Sequence, residues 1–262
     1  MTPISNLWLE DRAAELKASI AFCTRLPLPR ATPQGAKILE SAKTLAKAAW
    51  AFPVAGLIVG LIGAAVYALA HRLGVPAWPA AALSVVATLV VTGALHEDGL
   101  ADTADGFGGG RTRQQKLDIM RDSRTGAYGV CALVLSLLLR VGALASFADA
   151  YGVVWALLAS HSAARTAMPV FMWLLPPARG DGLSFEAGRP PGESVAAGIA
   201  IAFLILVFCL YPARGVLALI FLIATVALLA WLSVRQIDGQ TGDVVGALEQ
   251  VSEIVVLLVA VA

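Results

Sequence analysis

Charge is scarce in this 262-residue chain. Only 14% of residues are Asp, Glu, Lys or Arg, while 58% are hydrophobic. A water-soluble domain carries about 25% charged residues, so too little polar surface is present to coat a soluble core. Net charge is nearly absent too, at +1, without the basic excess of a nucleic-acid binder. The three cysteines, Cys23, Cys131 and Cys209, lie far apart with no CxxC spacing, which excludes a disulfide framework and a cysteine zinc site. The N-terminus has no uninterrupted apolar core of a signal peptide, because Glu10, Asp11, Arg12, Glu15 and Lys17 interrupt Trp8 to Phe22. That stretch reads as an amphipathic helix lying at the membrane surface or on the protein, broken by Pro27, Pro29 and Pro33.

What is abundant is long apolar sequence. Seven stretches approach the roughly 20 residues that a spanning helix needs: 48–70, 79–95, 128–148, 152–175, 195–210, 216–234 and 244–262. The second and fifth are short and the last contains Glu249 and Glu253. The expectation is an all-α, polytopic bundle of six to seven membrane helices over 48–262, preceded by a cytoplasmic segment over 1–47. Unbroken apolar runs without alternation exclude a barrel. Gly56, Gly60 and Gly63 form a small-residue face for close helix packing. With seven spans and a cytoplasmic N-terminus, fifteen of the 19 Lys and Arg residues fall on the cytoplasmic side and only Arg72 and Arg214 outside, as the positive-inside rule requires.

The chemistry concentrates between Thr92 and Gly129. Asp98, Asp102 and Asp105 follow at i, i+4 and i+7. On a helix they project within about 60° of one another. The second span is expected to continue into this segment, so that the acids emerge stacked at the membrane boundary. Such a stripe repels itself, and a divalent cation relieves the repulsion. Magnesium suits it, taking one or two carboxylates together with water and substrate phosphates. Glu97 lies about 100° off the stripe, a weaker ligand candidate, and His96 is a candidate general base or substrate-orienting group. Gly106, Gly108, Gly109 and Gly110 are expected to end the helix; without a following GKS/T they form no P-loop. Arg111, Arg113, Lys116, Arg121 and Arg124 come next, with Asp118 and Asp122 among them. Cations facing a metal–carboxylate stripe make a receptacle for a diphosphate.

Ionisable groups also fall within the spans: Arg140 mid-span, His161 and Arg165 one helical turn apart, and Glu249 and Glu253 likewise. Such groups turn inward and mark function; the two glutamates offer a second metal position or a polar-ligand site.

The Thr92–Gly129 segment resembles the hallmark of the cobalamin synthases (adenosylcobinamide-GDP ribazoletransferases). Their pattern HxDGLADTxDG matches His96-Glu-Asp98-Gly99-Leu-Ala-Asp102-Thr-Ala-Asp105-Gly106, and IMRDSRxGxxG matches Ile119 through Gly129. The likeness recurs in Phe22-Cys-Thr-Arg25-Leu-Pro27, in Phe52-Pro53 with Gly56, in Ser162-Ala-Ala-Arg165, and in Gln240-Thr-Gly-Asp243 followed by Gly246-Ala. Nearly the whole chain is covered. Departures are Glu97, where the family usually has an apolar residue; Arg140, where it has Lys; and Gly182-Leu183-Ser184, where it often reads GLG.

The resemblance implies a magnesium-dependent phosphotransfer in the bacterial inner membrane. The 5′ hydroxyl of α-ribazole, or its 5′-phosphate form, attacks the cobinamide-linked phosphorus of adenosylcobinamide-GDP, and GMP leaves. It implies metal on Asp98, Asp102 and Asp105, with Glu97 as a further candidate. Substrate contacts are implied at Arg121, Asp122, Arg124, Arg165, Gln240 and Asp243, with His96 or a carboxylate taking the proton. The partners are those two substrates and the lipid bilayer, with no nucleic acid; homo-oligomerisation is left open. Rival readings are a CDP-alcohol phosphatidyltransferase, whose DGxxAR signature fails because Asp102 stands where AR would begin, and an Asp-rich prenyltransferase. A secondary transporter using Arg140, Arg165, Glu249 and Glu253 is a third, for which two matching interrupted halves are lacking.

Overall fold

The computed structural model describes residues 4–27 and 42–262. Among these, every regular element is a helix, and the one strand-like feature is an isolated parallel bridge between Pro177 and Gln240. In chain order the helices are α1 (Ile4–Cys23), α2 (Ala42–Lys47), a 3-10 turn (Ala48–Ala51), α3 (Phe52–Arg72), α4 (Ala77–Thr92), α5 (Leu95–Gly109) and α6 (Arg113–Ile119). There follow α7 (Ala127–Ala145), α8 (Ala150–Leu174), α9 (Leu183–Ala187), α10 (Gly192–Ile237) and α11 (Gly242–Val261).

The seven expected apolar stretches are largely helical, the second being broken at Gly93-Ala94. Among the described residues, four helical segments are long and apolar enough to cross a membrane, and five if α4 and α5 count as one bent span. Leu61, Leu69, Val86, Val90, Leu135, Leu138, Phe208 and Ile223 stand exposed on their flanks. In water so large an apolar surface is a liability; in a bilayer it is the lipid-facing surface.

α10 runs for 46 residues but breaks at Tyr211, whose φ of 62° is outside the helical range, next to Pro212. A Cβ on Gly215 would lie 2.9 Å from the Cα of Val207, whereas eight residues of straight helix span about 12 Å. The chain therefore doubles back here, and the arms 192–210 and 212–237 form a hairpin.

α8 is the hub, packed on α3, α10 and α11. The α3–α8 contact is close because Gly56 and Gly60 leave no side chain between backbones: a Cβ on either would strike the carbonyl oxygen of His161 or Leu157. Ser84 of α4 donates to the Gly63 carbonyl of α3 at 2.9 Å. One apolar cluster joins these helices at mid-bundle through Tyr67, Leu144, Leu157, Leu206 and Leu257. A second, built from Cys23, Phe52, Met168, Phe171, Ile237 and Leu248, closes the end that carries the site. α1 docks on this end, where the buried Glu15 accepts from Trp50 Nε1 at 2.6 Å and pairs with Arg12 at 2.8 Å.

One expectation about the acidic segment is corrected. The second span does not run on into it: α4 stops at Gly93, and α5 departs at 91°. Gly93 (φ 67°) and Ala94 (φ 54°) are both left-handed, a conformation glycine adopts freely and alanine only at a cost. Glu97 and Asp98 thus fall in the first turn of a new helix, where the helix dipole favours acids, rather than at the end of an old one. The glycine run ends the helix as expected: α5 stops at Gly109, with Gly110 as its extended cap. Gly106 and Gly108 let Met120 and the Tyr128 ring pack directly onto it.

Candidate functional site

The start of α5, the start of α11, the end of α8 and the loop between α8 and α10 meet at one end of the bundle around a cavity of about 280 Å³, whose remaining wall comes from α1, α2, the 3-10 turn and α3. The charged and polar side chains that line it are His96, Asp98, Arg179, Ser184 and Asp243. α5 and α11 approach closely because Gly99 has no side chain: a Cβ there would lie 2.7 Å from the Asp243 carbonyl oxygen. That contact sets Asp243 beside the α5 acids. Asp98, Asp105 and Asp243 all act electrostatically on Asp102, and Arg179 opposes them. Asp98 is exposed and lines the cavity, while Asp102, one turn further along α5, is half-buried.

Asp105 shares the stripe but turns to other work. Its carboxylate accepts backbone N–H groups from Gly126 at 2.6 Å and Gly129 at 2.9 Å. A Cβ on either glycine would strike it. This acid fastens the loop that enters α7, so the two central motifs, His96–Gly106 and Ile119–Gly129, are tied through it.

The basic segment divides likewise. Thr112 caps α6, accepting from Gln115 N at 3.3 Å in a capping box. Lys116 is buried and donates to the Phe107 and Gly110 carbonyls at 3.1 and 2.6 Å, closing the end of α5. Arg113 donates to the carbonyls of Ile237 and Ala178. These are structural cations. Arg121 and Arg124 stay exposed. Arg121 pairs with Asp181 at 2.6 Å and, through that hydrogen bond, holds the Asp181 carboxyl below its ordinary range. Arg124 pairs with Asp122 at 2.6 Å; its side-chain and backbone hydrogen bonds bring the Asp122 carboxyl down to about 2.

Arg179 carried no expected role, yet it lines the cavity. It lies 3.4 Å from Asp243 and 3.4 Å from Asp181, and its Nη1 is buried with no hydrogen-bond partner. Its loop is tethered by Gln240, whose backbone N–H donates to Pro176 O at 2.9 Å and whose carbonyl accepts from Ala178 N at 2.7 Å. Gln240 thus positions Arg179 through its main chain, and Thr241 caps α11 by accepting from Val244 N at 3.3 Å.

The remaining expected residues sit behind the cavity in a buried polar cluster. Arg165, 1% exposed, pairs with Glu249 at 2.7 Å, and its Nη1 lies 3.0 Å from His161 Nδ1. Arg140 pairs with Glu97 at 3.0 Å and Glu253 at 3.6 Å. Glu97 therefore faces the bundle interior rather than the carboxylates of Asp98 and Asp102, and Arg165 is not on the cavity wall. Glu97 and Arg140, far apart in sequence, are thus direct partners. His96 joins cluster and cavity: it lines the latter while its Nδ1 lies 3.4 Å from Glu249. His161, Glu249 and Glu253 present ligand atoms within 4.8 Å of one another, but Arg140 and Arg165 already supply positive charge at that spot.

Comparison with known proteins places this geometry. The family profile described as cobalamin-5-phosphate synthase matches residues 15–261. A protein of Bradyrhizobium diazoefficiens named adenosylcobinamide-GDP ribazoletransferase is 53% identical over 249 residues, covering 95% of this chain and 94% of its own. Proteins of the same name from Mesorhizobium japonicum and Azorhizobium caulinodans are 50% and 44% identical, over 98% and 94% of this chain and 97% and 94% of theirs. No solved structure matches.

Proposed function

The chain belongs to the cobalamin-5-phosphate synthase family, and we propose that it transfers the cobinamide phosphate group of adenosylcobinamide-GDP to α-ribazole or α-ribazole 5′-phosphate. Adenosylcobalamin or its 5′-phosphate forms and GMP is released. The new bond joins an acceptor oxygen to the cobinamide-linked phosphorus. The bond from that phosphorus to the bridging oxygen breaks, and GMP departs with that oxygen and its electron pair. The family's name corrects one expectation. A product that is a cobalamin 5-phosphate keeps phosphate on the 5′ oxygen, so the nucleophile common to both acceptors is a ring hydroxyl of the ribose rather than the 5′ hydroxyl.

The observation that carries this reading is the convergence of Asp98 and Asp243 at a cavity that also holds Arg179, with Asp102 in their electrostatic reach and the exposed Arg121–Arg124 loop alongside. Hard oxygen donors, open to solvent and crowded enough to repel, fit a magnesium ion; Asp98 and Asp102 would hold it, with Asp243 beside them. Bound there, magnesium supplies charge neutralisation for the diphosphate and its leaving group. Asp105 is assigned to the loop, keeping Arg121 and Arg124 within reach. Those two arginines and Arg179 exchange their present carboxylate partners for phosphate oxygens, which take guanidinium groups in the same fork geometry. Glu249 orients the His96 ring, and His96 is placed to accept the hydroxyl proton from a ligand in the cavity.

For the membrane arrangement we infer seven spans, with the N-terminus on the cytoplasmic side of a bacterial inner membrane. The α10 hairpin supplies two of them. α8 is a further one, because its inward Ser160, His161, Ser162, Arg165 and Thr166 are buried and lower its mean hydropathy without touching lipid. The mutual pairing of Arg140, Arg165, Glu97, Glu249 and Glu253 favours a scaffold over an ion path, and so the enzyme over a carrier. Proteoliposomes given magnesium, adenosylcobinamide-GDP and α-ribazole test the proposal. GMP release that needs both substrates is expected; uptake of either substrate without GMP release contradicts it.

A further inference from the structure

The cavity is chemically two-sided. Its charged groups come from α5, α11 and the Arg179 loop, whereas α1, α2, α3 and α8 contribute only apolar side chains, among them Phe22, Leu45, Phe52, Met168 and Met172. Phe52 and Met168 are buried against the bundle end, so this side is a fixed wall. A volume of about 280 Å³ lies at the low end of cavities that enclose small ligands, roughly 300–1,000 Å³. It suits one nucleoside and is far too small for a corrin ring with its substituents.

Two nucleosides take part in the transfer proposed above, on which this inference rests: the guanosine of the donor and the ribazole of the acceptor. Hydrogen bonding separates them. Guanine presents donors and acceptors around its edge, and on the apolar side no described side chain answers them. Burying them unpaired is costly, and a site without partners discriminates accordingly. A benzimidazole ring substituted with methyl groups has an apolar edge, and thioether sulfurs pack well against aromatic rings.

We infer that the apolar side of the cavity holds the base of the acceptor nucleoside, with Met168, Met172 and Phe52 as its walls. The corrinoid and guanosine of the donor remain outside, with only the diphosphate reaching Asp98, Asp102 and Arg179. Base selectivity then resides in α3 and α8, away from the carboxylates.

Steady-state kinetics of the full-length protein in proteoliposomes test this. Free 5,6-dimethylbenzimidazole is expected to inhibit competitively against α-ribazole and not against adenosylcobinamide-GDP, and guanosine is not expected to compete with α-ribazole. Met172→Gln is expected to raise KM for α-ribazole about 10-fold or more while KM for the donor stays within about 2-fold. Competition between the free base and the donor, competition between guanosine and α-ribazole, or an equal rise in donor KM overturns the inference. The inhibition patterns use the wild type and decide the matter even if the variant does not fold. Should the wild type release no GMP, the transfer reading fails by itself. Equilibrium dialysis of α-ribazole against wild type and Met172→Gln then still decides base binding, with equal affinities overturning it.

Discussion

Removing Arg140 and removing Glu97 are expected to have very different consequences, although the two side chains form one ion pair. The buried cluster sets three carboxyl groups, Glu97, Glu249 and Glu253, against two guanidinium groups, Arg140 and Arg165. Arg140 is 1% exposed and Glu249 fully buried, so water does not solvate what is left behind. Arg140→Leu leaves three acids facing one arginine. Breaking a buried pair in this direction costs about 3–5 kcal/mol. In a chain of this size each kcal/mol lowers Tm by about 2–4 °C, so a drop of roughly 6–20 °C follows. Glu97→Leu leaves two acids facing two arginines, and because Arg140 keeps Glu253 as a partner no charge is stranded, so the loss is expected to be well below that of Arg140→Leu. Thermal melts of the purified variants in a mild detergent read both shifts. The double variant is expected to recover at least half of the Arg140→Leu loss, a coupling that a double-mutant cycle measures directly. Equal losses from the two single variants, or a double variant equal to their sum, refute the reasoning.

Asp105→Ala removes an acceptor of two backbone N–H groups. At about 1.5–3 kcal/mol for each hydrogen bond to a charged group, it is expected to destabilise by about 3 kcal/mol or more and to expose 120–126 to limited proteolysis; an unchanged cleavage pattern contradicts its role as a fastener. Arg121→Ala is expected to raise KM for adenosylcobinamide-GDP more than for α-ribazole, and equal effects count against phosphate contact. Asp122 is held down to about 2 by Arg124, below the roughly 3.9 of a free aspartate. The pairing therefore contributes fully above about pH 4 and is lost as pH falls through about 2. A carboxyl titration followed by carbon-13 NMR should show that low midpoint, and one near 4 contradicts the pairing.

The long apolar helices were legible because a bilayer demands unbroken apolar length, which sequence displays directly. Helical phase likewise placed Asp98, Asp102 and Asp105 on one stripe. Phase gives a direction, however, not a partner, and whether an acid meets solvent or the Gly126 and Gly129 amides depends on where the chain returns 21 to 24 residues later. The right-angle break at Gly93-Ala94 was hidden because alanine gives no sign of a left-handed backbone. Arg179 escaped notice because its place depends on the bridge from Pro177 to Gln240; the flanking Gly180 and Gly182 were the only local hint. The Glu97–Arg140 pair spans 43 residues, and its trace in the sequence was an acid beside the stripe and a base in mid-span, with nothing local to join them.

GMP release measured against magnesium concentration, for wild type, Asp98→Asn and Asp102→Asn side by side, tests most directly whether these carboxylates hold the ion that grips the diphosphate. The wild type is expected to rise from no release to saturation, while both variants, inserted and melting like wild type, release none. Release by the wild type without divalent cation, or the same magnesium curve for all three proteins, contradicts it.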